Sequence, residues 1–157
     1  MMPPPSTNPS KCTFTFDVTT VTAHGFYGPQ NVGAIWITDT NSKFVKTLAA
    51  WGKQRLYNAT AWEKASGGNV VDVVTGATRA TQGPLSAKWD CTDTSHNAVA
   101  DGMYTVNITF AETETMGLFP STPPSASVQF TKSPAGADVM GQDTANFTGM
   151  HVHLTIP

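Results

Sequence analysis

The sequence predicts an all-β sandwich of about seven or more short strands with one short helix inserted. Three observations predict it: repeated apolar alternation at period two, turn residues between the alternating runs, and a polar surface built from Thr and Ser. Of 157 residues, 39% are hydrophobic and only 13% charged, against the ~25% charged residues usual in soluble domains. Threonine suits a pleated solvent face because its branched Cβ favours extended backbone, whereas helix surfaces draw on Glu, Lys and Arg. The length fits one core. Residues 1–11 read as a proline/serine-rich tether or an expression remnant, and residues 12–157 as a single β-sandwich domain.

In CTFTFDVTTVTA, starting at Cys12, the residues Phe14, Phe16 and Val18 alternate with Thr13, Thr15 and Asp17, which describes a half-buried strand. Residues 32–38 (VGAIWIT) are apolar throughout, so this strand is expected to be central, with Trp36 as its core anchor. A turn at Asp39, Thr40, Asn41 and Ser42 leads to a hairpin partner at 43–48. Leu56, Ala59, Trp62 and Ala65 then fall at three-residue steps, predicting the helix, which Gly67 and Gly68 end. Leu85, Ala87 and Trp89 alternate again. Asp101 and Gly102 open a strand whose buried face is Tyr104, Val106, Ile108 and Phe110. Residues 127–132 and 147–156 supply two more strands. Short strands separated by turn signals describe a sandwich better than a parallel sheet.

A formal charge of −2 from nine basic and eleven acidic residues provides no positive stripe, which argues against nucleic acid as a partner. No apolar run reaches the ~20 residues needed to span a bilayer, so the chain is not expected to be an integral membrane protein. The Pro/Ser-rich start follows the pattern of a tether between a removed signal or lipid anchor and the first strand. The expected location is periplasmic or extracellular, with lipid anchoring through that removed signal. Cys12 and Cys91 form an even pair that such a compartment permits to join; two separate buried thiols are the alternative.

Trp89-Asp90-Cys91-Thr92-Asp93 followed by Val99-Ala100-Asp101-Gly102-Met103-Tyr104-Thr105-Val106 resembles a W-D-G-x-D … V-x-D-G-x-Y-x-V signature. That signature belongs to immunoglobulin-like domains related to the flagellar hook-capping protein, and Cys91 stands where glycine is usual. The resemblance implies an immunoglobulin-like sandwich and no activity. Over residues 18–106, the runs Tyr27-Gly28-Pro29-Gln30-Asn31-Val32-Gly33-Ala34-Ile35-Trp36-Ile37 and Lys43-Phe44-Val45-Lys46-Thr47-Leu48 recur in order with a Ser66-Gly67-Gly68 to Thr78 segment. In this the chain is similar to an uncharacterised family of predicted periplasmic proteins.

Asp72-Val73-Val74-Thr75-Gly76-Ala77-Thr78 resembles the D-x-x-[S/T]-G-A-[S/T] motif of proteins that receive covalent flavin from a flavin transferase. The resemblance implies FMN esterified to Thr78, with Asp72, Thr75, Gly76 and Ala77 as the rest of the cofactor-binding set. An unactivated threonine hydroxyl is a poor nucleophile, so the transferase must supply base and metal while the target offers an accessible loop. Small Gly76 and Ala77 would let the backbone enter a tight site. The implied function is an extracytoplasmic accessory electron carrier working with a periplasmic or membrane redox protein, with Trp51, Trp62 and Tyr57 as candidate stacking surfaces. The rival reading makes Thr-Gly-Ala-Thr a structural turn with glycine at positive φ and threonine in the following strand. The domain would then be a non-catalytic envelope sandwich mediating assembly or protein binding.

Either reading makes the chain a carrier or binding module rather than a self-contained catalyst. No Gly-x-Ser-x-Gly elbow supports hydrolase chemistry. His151 and His153 share a strand face and could join His24 or His96 around copper or zinc, but two histidines do not complete a site. Residues 116–120 (MGLFP) form an apolar loop expected to plug one end of the sandwich.

Overall fold

In the computed structural model, which describes residues 10–73, 75–114 and 122–157, the alternations become eight strands in two antiparallel sheets. β1 (Thr13–Thr20) buries Phe14, Phe16 and Val18 and exposes Thr13 and Asp17. β2 (Val32–Asp39) and β3 (Phe44–Trp51) form a hairpin whose turn is fixed by Asp39, its Oδ1 accepting the N–H groups of Asn41 and Lys43. β4 (Pro84–Trp89), β5 (Gly102–Ala111), β6 (Ser125–Lys132), β7 (Ala137–Met140) and β8 (Phe147–Thr155) complete the set. The strand orders are β4-β1-β8-β7 and β3-β2-β5-β6.

That arrangement is immunoglobulin-like. β1 to β6 take the places of strands B, C, C′, E, F and G, and β8 lies beside β1 where the first strand of such a fold would run. Tyr104, near the start of β5, donates its hydroxyl to the carbonyl of Ala100 at 2.6 Å, which is the tyrosine corner of these sandwiches. Between the sheets, Phe14, Phe16, Ile35, Ile37, Trp89, Ile108, Phe110 and Leu154 build the main core. Trp89 stands edge-on to Phe14 and satisfies its indole N–H on the carbonyl of Thr92 at 2.8 Å. Cys12 and Cys91 are joined in a disulfide with Cα atoms 5.4 Å apart, tying the entry to β1 to the exit from β4.

Trp36 is buried, but not where the sequence reading put it. Ile35 and Ile37 face the main core, so the period of two turns Ala34 and Trp36 to the outer face of the sheet. There they meet Ala50, Leu56, Ala59 and Trp62 in a second cluster. The cover comes from residues 52–83, which connect β3 to β4 and fold back over β2. This explains the unbroken apolar run of β2: both of its faces are buried.

The predicted helix is two pieces. A 3₁₀ turn, Lys53–Asn58, and α1, Thr60–Ser66, are separated by Ala59 at φ −77° and ψ 70°, outside the helical region. Leu56, Ala59 and Trp62 are buried as spaced, whereas Ala65 is exposed. Gly67 ends α1 at φ 61°, its N–H bonding the carbonyl of Glu63, a left-handed cap that glycine adopts without strain. β7 was not anticipated, since its four residues sit at a sheet edge with no buried side chain. The apolar loop at 116–120 lies outside the described residues.

Candidate functional site

The segment after α1 is held to the outer face of the second sheet by specific bonds. Thr47 Oγ1 donates to the carbonyl of Asn69 at 2.8 Å and accepts the indole N–H of Trp62 at 2.9 Å, while Val70 and Val73 pack on the second cluster. Asp72 follows in left-handed backbone at φ 66°. Its carboxylate lies 2.9 Å from Lys46 Nζ and 2.7 Å from His96 Nε2. The Lys46 side chain is only 7% exposed and also donates to Thr92 Oγ1, so Asp72 compensates a nearly buried cation that would otherwise be costly. Hydrogen bonds from His96 and then Lys46 hold the Asp72 carboxyl below its ordinary range.

Further along, two backbone clamps frame the rest of the motif. Gly76 bridges β3 in parallel fashion, accepting from Gly52 N–H and donating to the Ala50 carbonyl, both at 2.9 Å. Arg79 bridges Asn31 in antiparallel fashion at 2.9 and 3.0 Å. Between the clamps, Ala77 and Thr78 are exposed, and the Thr78 hydroxyl makes no hydrogen bond to another described residue. Thr75 is half-buried.

Gly76 does not follow the structural-turn expectation. Its φ is not positive, and a Cβ placed on it would find its nearest neighbours, the Ala50 carbonyl oxygen and Trp51 Cβ, at 3.8 Å. Gly33 shows what a packing requirement looks like, with an added Cβ 2.3 Å from the Thr109 carbonyl oxygen. Among the described residues, neither backbone conformation nor close approach demands glycine at 76. Nor does Thr78 enter a strand; β4 begins at Pro84.

Thr78 lines a shallow cleft with Tyr27, Asn31, Arg55, Glu112 and Glu114, enclosing about 20 Å³, room for roughly one water. Glu112 is buried and organises the wall, its carboxylate accepting from Thr22 Oγ1 at 2.8 Å, Ala23 N–H at 2.6 Å and Gln82 Nε2 at 3.0 Å. Glu114 accepts from the Tyr57 hydroxyl at 2.9 Å and Asn58 Nδ2 at 3.2 Å, and that first bond raises the Tyr57 pKa above its ordinary value. The Arg55 guanidinium lies 5.4 Å over the Tyr27 ring and has no ion-pair partner among the described residues.

Asp72 faces a different recess, a groove of about 400 Å³ at the mouth of the sandwich that it shares with Lys46, Lys88, Trp89 and Asp90. Of the suggested stacking aromatics, Trp51 and Trp62 are core residues with their indole N–H groups committed to Asn31 Oδ1 and Thr47 Oγ1. Tyr57 is exposed. The aromatic ring that shares the Thr78 cleft is instead that of Tyr27, which sequence reasoning passed over; an aromatic pair inside the Gly- and Pro-punctuated run from Gly25 to Pro29 was the available signal. His151 pairs with Asp138 and stands 6.4 Å from the His153 ring. Among the described residues no group of three or more His, Cys, Asp or Glu is placed to hold a metal ion.

A sequence profile of the family described as "Predicted periplasmic protein (DUF2271)" matches residues 11–133. The chain belongs to this family. The matched span runs from just before β1 through β6 and takes in the whole connection that carries Thr78. The family description places the domain in the periplasm, the oxidising compartment that the Cys12–Cys91 bond suits, and it states no activity. No curated protein and no solved structure matches the chain. Among the described residues, no helix is long and apolar enough to cross a membrane.

Proposed function

We propose that this DUF2271 domain is a periplasmic electron carrier with FMN esterified to Thr78, loaded by a flavin transferase and serving a periplasmic or membrane redox protein. The observation that carries the reading is the exposed Thr78 hydroxyl, at the rim of the cleft and without a hydrogen bond to another described residue, between the backbone clamps at Gly76 and Arg79. A modification loop needs both properties: exposure for the enzyme to reach it, and a fixed course so that little ordering entropy opposes entry into the enzyme's site.

In the loading step a flavin dinucleotide is the donor. A bond forms between Thr78 Oγ and the FMN phosphorus as the pyrophosphate P–O bond breaks, AMP departs, and the hydroxyl proton passes to a base of the transferase. Gly76, which no contact with a described residue requires, and Ala77 keep the approach to Thr78 narrow for that enzyme. Asp72 acts at a distance, pinning the start of the loop through Lys46 and His96.

The residues around Thr78 fit such a group. At the rim of one cleft they offer a hydroxyl as the attachment point, a guanidinium without an ion-pair partner among the described residues and a part-exposed aromatic ring, so that a group fixed at Thr78 meets a cation and a ring while its flavin stays outside. When bound, the isoalloxazine supplies the electron-accepting and electron-donating chemistry. Intact mass after co-expression with a flavin transferase tests the reading: the wild type gains one FMN, and Thr78→Ala gains none. A wild type left unmodified overturns it and leaves the non-catalytic envelope domain.

A further inference from the structure

We infer that the isoalloxazine carried at Thr78 is seated outside the cleft, against the aromatic step made by Phe26 and Tyr27, with Arg55 over the Tyr27 ring; this rests on the flavin reading of Thr78. The cleft itself is too small to admit a three-ring system, so a group anchored at Thr78 lies across its mouth. Tyr27 forms part of that mouth. Phe26, its neighbour, is 86% exposed, the most exposed of the large hydrophobic residues among those described. Among the described residues it joins neither hydrophobic cluster. Its ring meets that of Tyr27 edge-on, with centroids 5.0 Å apart.

An apolar ring left in water is unremarkable on a loose loop, but this loop is not loose. Tyr27 N–H bonds the Glu112 carbonyl at 2.7 Å, Gly28 and Gln30 bond back to Gly25 and Tyr27, and the Glu112 carboxylate takes the Ala23 N–H. Gly25 packs so closely on Glu112 that an added Cβ would come within 2.7 Å of the Glu112 Cβ and 2.9 Å of its carbonyl oxygen. The buried carboxylate of Glu112 therefore sets a rigid base under an exposed aromatic pair. A pre-formed aromatic surface binds a planar π-system with little ordering cost. Arg55 holds Tyr27 from one side by cation–π contact. A positive charge near a flavin favours the reduced, more electron-rich ring, so Arg55 also raises the reduction potential.

The test uses FMN-loaded protein, with attachment verified by intact mass in every sample. Wild type, Phe26→Ala/Tyr27→Ala, Arg55→Gln and the distant surface control Met140→Ala are compared by iodide quenching of flavin fluorescence, visible circular dichroism of the flavin band and midpoint potential. The double variant is expected to show several-fold stronger iodide quenching and loss of the visible dichroism. Arg55→Gln should shift the potential to a more negative value, while Met140→Ala matches the wild type. Unchanged far-ultraviolet dichroism shows that the variants are folded, and Tyr27→Phe, which keeps the ring, should retain the visible dichroism that the double variant loses. Loaded variants that match the wild type in quenching and dichroism overturn the seat and leave the attachment standing. Absence of any adduct overturns both.

Discussion

Asn31 and Arg79 exchange both backbone hydrogen bonds, at 3.0 and 2.9 Å, and this bridge fixes the far side of the Thr78 loop. The Asn31 side chain braces it further: Oδ1 accepts the Trp51 indole N–H at 2.8 Å, and Nδ2 reaches the carbonyls of Pro29 and Thr81 at 3.1 and 3.3 Å. Asn31→Ala leaves a buried indole N–H unpaired. The expected loss is about 1–3 kcal/mol, read as a lower urea midpoint, together with faster proteolytic cleavage around residues 77 and 78.

Gly76→Ala separates what the fold needs from what a modifying enzyme needs. With φ outside the left-handed region and the nearest neighbours of a new Cβ at 3.8 Å, the substitution is expected to leave stability unchanged or raise it by about 0.4–1 kcal/mol. Flavin attachment, followed by intact mass under co-expression, should fall sharply. A variant that is both stable and fully loaded would show that the small residue at 76 serves neither purpose.

Acid stability carries the mark of Asp72. Its pKa is depressed by His96 and Lys46, so the stabilisation is fully present above the unfolded carboxylate value of ~3.9 and is lost as pH falls through the lower folded value. Urea midpoints of wild type and Asp72→Asn should therefore differ at neutral pH and converge as pH falls below about 4. Asparagine is chosen because it tolerates the left-handed backbone found at this position.

Reduction is expected to weaken the domain severely. The Cys12–Cys91 bond closes a 79-residue separation, and removing such a link typically costs about 2–5 kcal/mol. Cys12→Ala/Cys91→Ala, or wild type in excess reductant, should unfold at a clearly lower urea concentration than the oxidised protein. The variant should be indifferent to added reductant.

Lys132 is a fully buried cation, 2.9 Å from both Asp101 Oδ1 and the Val99 carbonyl. Asp101→Ala leaves that charge uncompensated and should cost about 3–5 kcal/mol. Lys132→Met, which keeps the volume and removes the charge, should cost less, and adding it to Asp101→Ala should recover stability. The measurement is a double-mutant cycle of urea unfolding.

Much of the frame was legible because a strand with one wet face writes its geometry into the residues: Phe14, Phe16 and Val18 against Thr13, Thr15 and Asp17 admit one reading. β2 was harder for a physical reason. When both faces are covered, the alternation that would assign Trp36 to one side disappears, and only the connection at 52–83 shows that a second cluster exists. β7 left no trace because an edge strand of four half-exposed residues needs no apolar pattern. At the site, resemblance to a flavin-attachment motif singled out Thr78, and local sequence could not anticipate its surroundings. Tyr27, Arg55 and Glu112 reach the cleft from three separate parts of the chain, and their meeting is a property of the sheet order.

The pairing of Phe14 with Leu154 gives the domain a late-closing seam. β1 has one neighbour in β4 and gains the other only when β8 arrives, so the first sheet is completed by contacts of very long sequence separation, the kind that form slowly because a large loop must close first. A chain interrupted before residue 147 would keep the hydrogen-bonding edge of β1 open and prone to pairing with a stranger. The same seam makes the two ends of the domain neighbours, and joining them by a short linker while opening the chain at an exposed turn such as 94–97 should give a rearranged protein that folds faster into the same sandwich.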